Sequence, residues 1–278
     1  MTEINNNYIN SSKTLLIEGL SKLVSDKDLL NTLICKTNNL NVIILNNESF
    51  IEKYREFGGT GQFLPGGFAY QGVVYLKDIN LNIHTIIHEM LHGISRSFNE
   101  NGEKSGLFVG NKKENYMYGR GFNEAFTEYL TSLITHESFN GYSKDFQYVI
   151  ELFMEISNLK TDDVLGLYLQ EQEWLNDEII DMFDENNKSL PNLIIEYDNK
   201  TSGGLRKSNP NNIMNIILDA IDNKMGNSYS INAVRVGEKL KELNNYFYSV
   251  DVDLDANIKN KLSIILDRLG TYNISKNK

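Results

Sequence analysis

Three of the four histidines in this chain stand one helical turn apart, at 84, 88 and 92, in "IHTIIHEMLHGIS". Imidazoles at i and i+4 stack on one helix face, so two of them can bind one ion at ~2.0–2.1 Å. The residue directly after the first histidine of each pair decides between the two pairs. Behind His88 comes Glu89, where a carboxylate projects beside the metal and can take a proton from a water that the metal has made acidic. Behind His84 comes Thr85, which cannot act as that base. His88-Glu89-Met90-Leu91-His92 is therefore the HExxH segment, with His84 expected in a solvent-facing or helix-start role and a cleft-lining role as the alternative.

Five residues with two free positions recur by chance, so the segment needs a third ligand. Catalytic zinc takes three protein ligands and keeps one position open. Glu124 is well placed, on a second helical stretch beyond a long polar segment that lets the chain return. Here the sequence resembles the gluzincins, HExxH peptidases whose third ligand is a glutamate from a second helix. The thermolysin-like members write that helix Asn-Glu-x-x-Ser-Asp, and this chain has Asn123-Glu124-Ala125-Phe126-Thr127-Glu128. The resemblance implies Zn²⁺ held by His88, His92 and Glu124, with Glu89 as general base. It also implies that Glu128 holds the outer N–H of a ligand histidine, with a reach one methylene longer than the family's aspartate.

The resemblance covers residues 88–128. It implies an α+β fold: a zincin-like catalytic core over 1–142, with a small mixed sheet and an active-site helix. A mainly helical lobe over 143–278 would pack on that core. The implied activity is zinc-dependent hydrolysis of peptide bonds in a peptide or protein substrate, as an endopeptidase. The rival is a non-catalytic zinc-binding or interaction module on a retired peptidase scaffold. Glu89 discriminates, because a structural site has no use for a carboxylate there.

Thermolysin-like enzymes steady the oxyanion with a histidine from their carboxy-terminal helices, and this chain has none after His136. Tyr116 and Tyr118 precede the ligand helix, and "YGR…NEAF" also resembles the anthrax lethal-factor and Pro-Pro endopeptidase branch, which uses a tyrosine there. That branch places it seven residues before the ligand glutamate, which is Met117 in this chain. Tyr118 is preferred over Tyr116, with His84, His136 and Arg120 as the remaining donors.

Periodicity supplies the helices and strands that carry these residues. Residues 13–34 repeat apolar positions at three and four, as one or two helices do. "NVIIL" (41–45) and "GVVYLK" (72–77) are strand candidates, and 48–57 reads as a helix stopped by Gly58-Gly59. The second strand is expected to offer its edge to an extended substrate, with the glycine-rich stretch 58–72 bordering the cleft. Asn80 or Asn82 caps the histidine helix, whose Ile83, Ile86, Ile87, Met90, Leu91 and Ile94 form one apolar stripe beside the histidines. Residues 99–121 read as a long loop. Phe122, Ala125, Phe126, Tyr129, Leu130 and Leu133 repeat the stripe in the second helix, and the pattern stays helical from about 143.

Composition narrows the classes. A hydrophobic fraction of 41% with 23% charged residues is that of a soluble globular chain. The net charge of −10 argues against a nucleic-acid partner, since Lys112, Lys113 and Arg120 are too sparse to neutralise several phosphates. The single cysteine, Cys35, excludes an internal disulfide and is expected as a small buried hydrophobe. No apolar run approaches the ~20 residues of a membrane span. As written, the amino terminus carries no signal peptide and the protein reads as cytoplasmic, though an exported mature form would look the same. "DVDLDAN" (251–257) imitates a calcium loop but has Ala256 in place of its glycine and Leu262 in place of its final glutamate. Asp255 capping the last helix is the simpler reading. Oligomeric state is not encoded in any pattern here.

Overall fold

Short polar side chains set the helix starts. Asp26 Oδ1 accepts from the N–H groups of Asp28 and Leu29, Asn46 Oδ1 from Ser49, Asn82 Oδ1 from Thr85 and Asn232 Oδ1 from Arg235. Each satisfies a donor that the first helical turn leaves open. The structure, a computed structural model, describes residues 3–59, 64–79, 81–99, 102–111, 116–137, 145–157, 161–169, 193, 196, 209–226 and 231–276. Asn80, Lys112 and Lys113 lie outside the described residues. The chain divides into two compact units that interleave in sequence. One comprises residues 1–116, 127–140 and 162–172, the other 117–126, 141–161 and 173–278.

The first unit opens with α1 (Glu3–Leu23) and α2 (Lys27–Asn39), so the stretch 13–34 is two helices. Leu16, Leu20 and Leu33 are fully buried between them and their neighbours. Cys35 is a correction: it is exposed on the outer face of α2, where Leu33 and Thr37 carry the burial instead. Next come β1 (Asn41–Leu45), α3 (Asn47–Glu56), β2 (Gly67–Tyr70) and β3 (Val73–Lys77). Gly58, at φ +90°, follows α3 as the left-handed stop that the sequence marks.

These strands form a three-stranded mixed sheet in the order β1-β3-β2, with β1 parallel and β2 antiparallel to β3. The α+β class with a small mixed sheet is thus present. The edge assignment is not, because β3 is the central strand. Its Val74 and Leu76 on one face and Tyr75 on the other are buried, as expected of a strand covered on both faces, and the sheet ends at β2. Tyr70 and Val73 are joined by Gln71-Gly72, both at positive φ, the two-residue turn that matches strand twist.

Helix α4 (Ile83–Ile94) carries the histidines and is followed by β4 (Arg96–Asn99), β5 (Gly102–Ser105), β6 (Phe108–Asn111) and β7 (Tyr116–Tyr118). The expected loop over 99–121 is therefore a four-stranded sheet in chain order, with β4–β5 and β5–β6 antiparallel. Backbone pairing builds it rather than apolar alternation. Ser105 pairs with Phe108 across Gly106-Leu107, and Gly106 takes φ +58°. Helix α5 (Arg120–Thr135) then contributes residues to both units. In the first unit Thr127 bonds Tyr168 of α7 (Thr161–Leu169) at 2.5 Å, with both residues fully buried.

The second unit holds α6 (Asp145–Ser157), α8 (Pro210–Gly226), α9 (Ala233–Ser249) and α10 (Ala256–Lys276), in keeping with the helical pattern expected from about 143. Phe122 meets Phe153 edge to face at 5.2 Å. Lys239–Glu151 (2.7 Å) and Arg235–Glu155 (3.0 Å) align α9 with α6. Asp255 occupies the position before α10, and its carbonyl accepts from Lys259 N–H. Among the described residues no helix is long and apolar enough to cross a membrane.

Two helical glycines separate close packing from open space. A Cβ on Gly19 would lie 2.7 Å from Ile134 Cγ1 and Cγ2, whereas one on Gly237 meets only Leu269 Cδ1 at 3.9 Å. Gly237→Ala should raise stability by about 0.5–1 kcal/mol through helix propensity. Gly19→Ala should lower it by about 1–3 kcal/mol through overpacking. Chemical unfolding of the two variants checks the opposite signs.

Candidate metal centre

Helix α4 is held almost wholly inside the first unit. Ile86, Ile87, Met90, Leu91 and Ile94 are buried, and Gly93 lets the helix approach Leu40 and Val74, where a Cβ would come within 2.9 and 3.1 Å. His84, His88, Glu89 and His92 are buried as well, beside the apolar stripe.

His88 and His92 turn toward one another. Their Nε2 atoms are 3.1 Å apart and their rings meet at 74°. A tetrahedral ion with arms of ~2.0–2.1 Å would separate two ligand atoms by roughly 3.3 Å, so the imidazoles already converge on a common point. One ligand atom each from His88, His92 and Glu124 lies within 4.8 Å of the other two. Two histidines and a glutamate are a donor set of catalytic zinc, with a fourth position left open. Glu124 is half-buried, while both histidines are buried.

Glu128, one turn after Glu124 on α5, is 1% exposed and shares its carboxylate between two rings. His88 Nδ1 donates to Oε2 at 3.0 Å and His84 Nε2 donates to Oε1 at 2.8 Å. An ionised carboxylate only accepts, so this bond places the His88 proton on Nδ1 and leaves its Nε2 lone pair for a metal. Glu89 and Glu128 thus add carboxylates beside the His88, His92 and Glu124 group, and this donor set fits zinc.

His84 corrects the sequence reading. It is 4% exposed rather than solvent-facing, and Thr135 Oγ1 and Glu137 Oε2 each lie 3.4 Å from its Nδ1. With both nitrogens so engaged it is removed as an oxyanion donor. His136 is exposed at φ +57°, where α5 ends, and Arg120 is exposed too. The backbones of Tyr116 and Tyr118 lie in β7, while their side chains fall outside the described residues.

Gly67 is a site residue that the sequence did not single out. A Cβ on it would lie 2.6 Å from Glu89 Cγ, so β2 passes directly against the acidic side chain. Nothing distinguished it from the other glycines between 58 and 67. His84 did carry a visible signal, because it stands one turn before His88 on the same face. Comparison with protein-family models, with curated proteins and with solved structures finds no match to this chain.

Were an ion held by His88, His92 and Glu124, Glu128 would act on its affinity through His88 Nδ1 rather than as a ligand. Glu128→Ala should weaken zinc binding ~10–100-fold. His92→Ala should remove most of it. Competition against a chromogenic chelator measures both, and equal zinc affinity in wild type and Glu128→Ala would refute the arrangement.

Proposed function

We propose that this protein is a zinc-dependent peptidase, an endopeptidase of gluzincin type on a zincin-like scaffold. The observation that carries the reading is the pair of Nε2 atoms 3.1 Å apart with Glu124 beside them and Glu128 on His88 Nδ1. His88, His92 and Glu124 would hold the ion. When bound, zinc supplies Lewis acidity, which acidifies water and polarises a carbonyl. The protein's own part falls to Glu89, which accepts a proton from the attacking water and passes it to the leaving amine. Tyr118 is assigned to donate its phenol O–H to the oxyanion, since a neutral donor stabilises developing charge there.

The docking strand for an extended substrate is β2. Gly66 C=O accepts from Lys77 N–H, so register pairs Phe68 and Tyr70 with β3 and turns the N–H and C=O groups of Gly67 and Ala69 outward. Arg96 donates to Ala69 O at 3.2 Å, in keeping with that direction. A peptide added along this edge would run past Glu89, because Gly67 offers no side chain to keep it away. The rival reading, a non-catalytic zinc module, leaves Glu89 and this stripped edge without a purpose.

Purified protein should carry about one Zn²⁺ per chain by elemental analysis, and absence of zinc before and after titration would end the metal reading. Glu89→Gln should keep zinc and fold and abolish peptide hydrolysis. Unchanged turnover would leave the non-catalytic module as the better reading. Tyr118→Phe should lower kcat by ~10²-fold or more with little change in KM or zinc content, the pattern of a lost transition-state donor. A loss in Tyr116→Phe instead would move that role to Tyr116.

A further inference from the structure

We infer that His84 is a positioning residue of the metal centre, acting through Glu128 to fix the tautomer and aim of His88. The inference deepens the proposed zinc site, yet its central claim concerns the protein's own side chains.

Glu128 has one more rotatable bond than the aspartate of the thermolysin-like pattern, so its carboxylate plane has more orientations to choose from. His84 Nε2 meets Oε1 at 2.8 Å while His88 Nδ1 meets Oε2 at 3.0 Å, so the first contact helps to set the plane that the second one uses. Both residues are buried, so water does not readily replace a lost partner, and an unmet carboxylate oxygen there is costly. The ring of His84 is itself held from behind. α5 ends at Thr135 and the chain turns through left-handed His136, which leaves Glu137 Oε2 3.4 Å from His84 Nδ1, with Thr135 Oγ1 at the same distance. Thr135 in turn donates to Thr131 O at 2.9 Å and accepts from Glu137 N–H at 3.3 Å. Glu137 is 55% exposed at its side chain, so the chain of contacts runs from the surface to a metal ligand. These side chains therefore lie in contact one behind another, from Glu137 to His88.

A packing role would predict that any residue filling the space of His84 suffices. A positioning role predicts that the donor to Glu128 matters. Two substitutions separate these: His84→Leu fills the space without a donor, and His84→Gln restores an N–H near the position of Nε2. The first measurement uses metal-free full-length protein and nitrogen-15 NMR of the histidine rings above their titration range. Wild type should show His88 in its Nδ1–H form, His84→Leu a mixture of both tautomers, and His84→Gln the wild-type form. The second is zinc affinity by chelator competition. His84→Leu should weaken it ~10-fold or more, as loss of an outer partner does, and His84→Gln should recover most of that. In a Glu128→Ala background His84→Leu should have no further effect.

Retention of the Nδ1–H form by His88 in His84→Leu would overturn the inference. So would an equal loss of affinity from His84→Leu with and without Glu128. If His84→Leu does not fold, His84→Asn, polar but too short to reach Glu128, takes its place with the same expectations. If the wild type binds no zinc, the functional proposal falls, and the ring spectra alone decide the role of His84.

Discussion

The bidentate sharing of Glu128 between His84 and His88 is the constraint on which the centre depends. One buried carboxylate receives two imidazole N–H groups from the same helix, four residues apart. This ties the rotation of α4 about its axis to residues 127–135 of α5, because each ring that leaves gives up a buried bond to a carboxylate. Once α4 is pinned, His88 and His92 have only one way to point, and their Nε2 atoms meet at 3.1 Å. Glu124, one turn along α5 from Glu128, comes to the same place through the pitch of the helix. A polar network thus sets register where the apolar stripe alone would allow sliding.

The apolar packing has a complementary task, bringing backbones close enough for short side chains to reach. Gly93 allows α4 to lie against Leu40 and Val74, and Gly19 allows α1 to lie against Ile134 near the end of α5. Gly67 does the same for β2 against Glu89. On its other face β2 carries Phe68 and Tyr70 into an aromatic group with Phe50, Tyr54, Phe57 and Tyr75. The strand is therefore heavily anchored on one side and bare on the other. Bulk on the α3 side holds the strand in place, and the missing side chain on the α4 side lets Glu89 pack against the strand.

Much of this was legible in the sequence wherever one local rule decided the outcome. Asn82 capping α4, Gly58 ending α3, and the strands at 41–45 and 73–77 follow from propensity and capping, and they appear where expected. His88 and His92 come together because i and i+4 spacing on a helix is a geometric fact, whereas Glu124 reaches them from a second helix, where only the resemblance pointed to it. Long-range relations were not legible. That β3 would be central rather than an edge depends on which strand pairs outside it, and the order β1-β3-β2 is a property of the folded chain. The short strands β4 to β7 lack apolar alternation, so their pairing left no periodic trace. Cys35 and His84 exchanged expected environments for the same reason: the face each helix buries is settled by its partners. Thr37 and Leu33 take the inside of α2, and Glu128 draws His84 inward.

The edge at β2 gives this placement a consequence for what could reach the centre. Register turns the backbone groups of Gly67 and Ala69 away from β3, and Arg96 already occupies the Ala69 carbonyl while its guanidinium lies 5.2 Å from the centre of the Tyr70 ring. An added strand would thus find Gly67 open and would compete with Arg96 at the next outward-facing residue. An exposed edge invites pairing along its whole length, and a cation laid across it limits that pairing. The same residue that guards the edge stands two residues after the end of α4, at the start of β4. On the proposed reading, the length of peptide that can lie beside Glu89 is therefore set by the segment that carries the ligands, not by a separate loop.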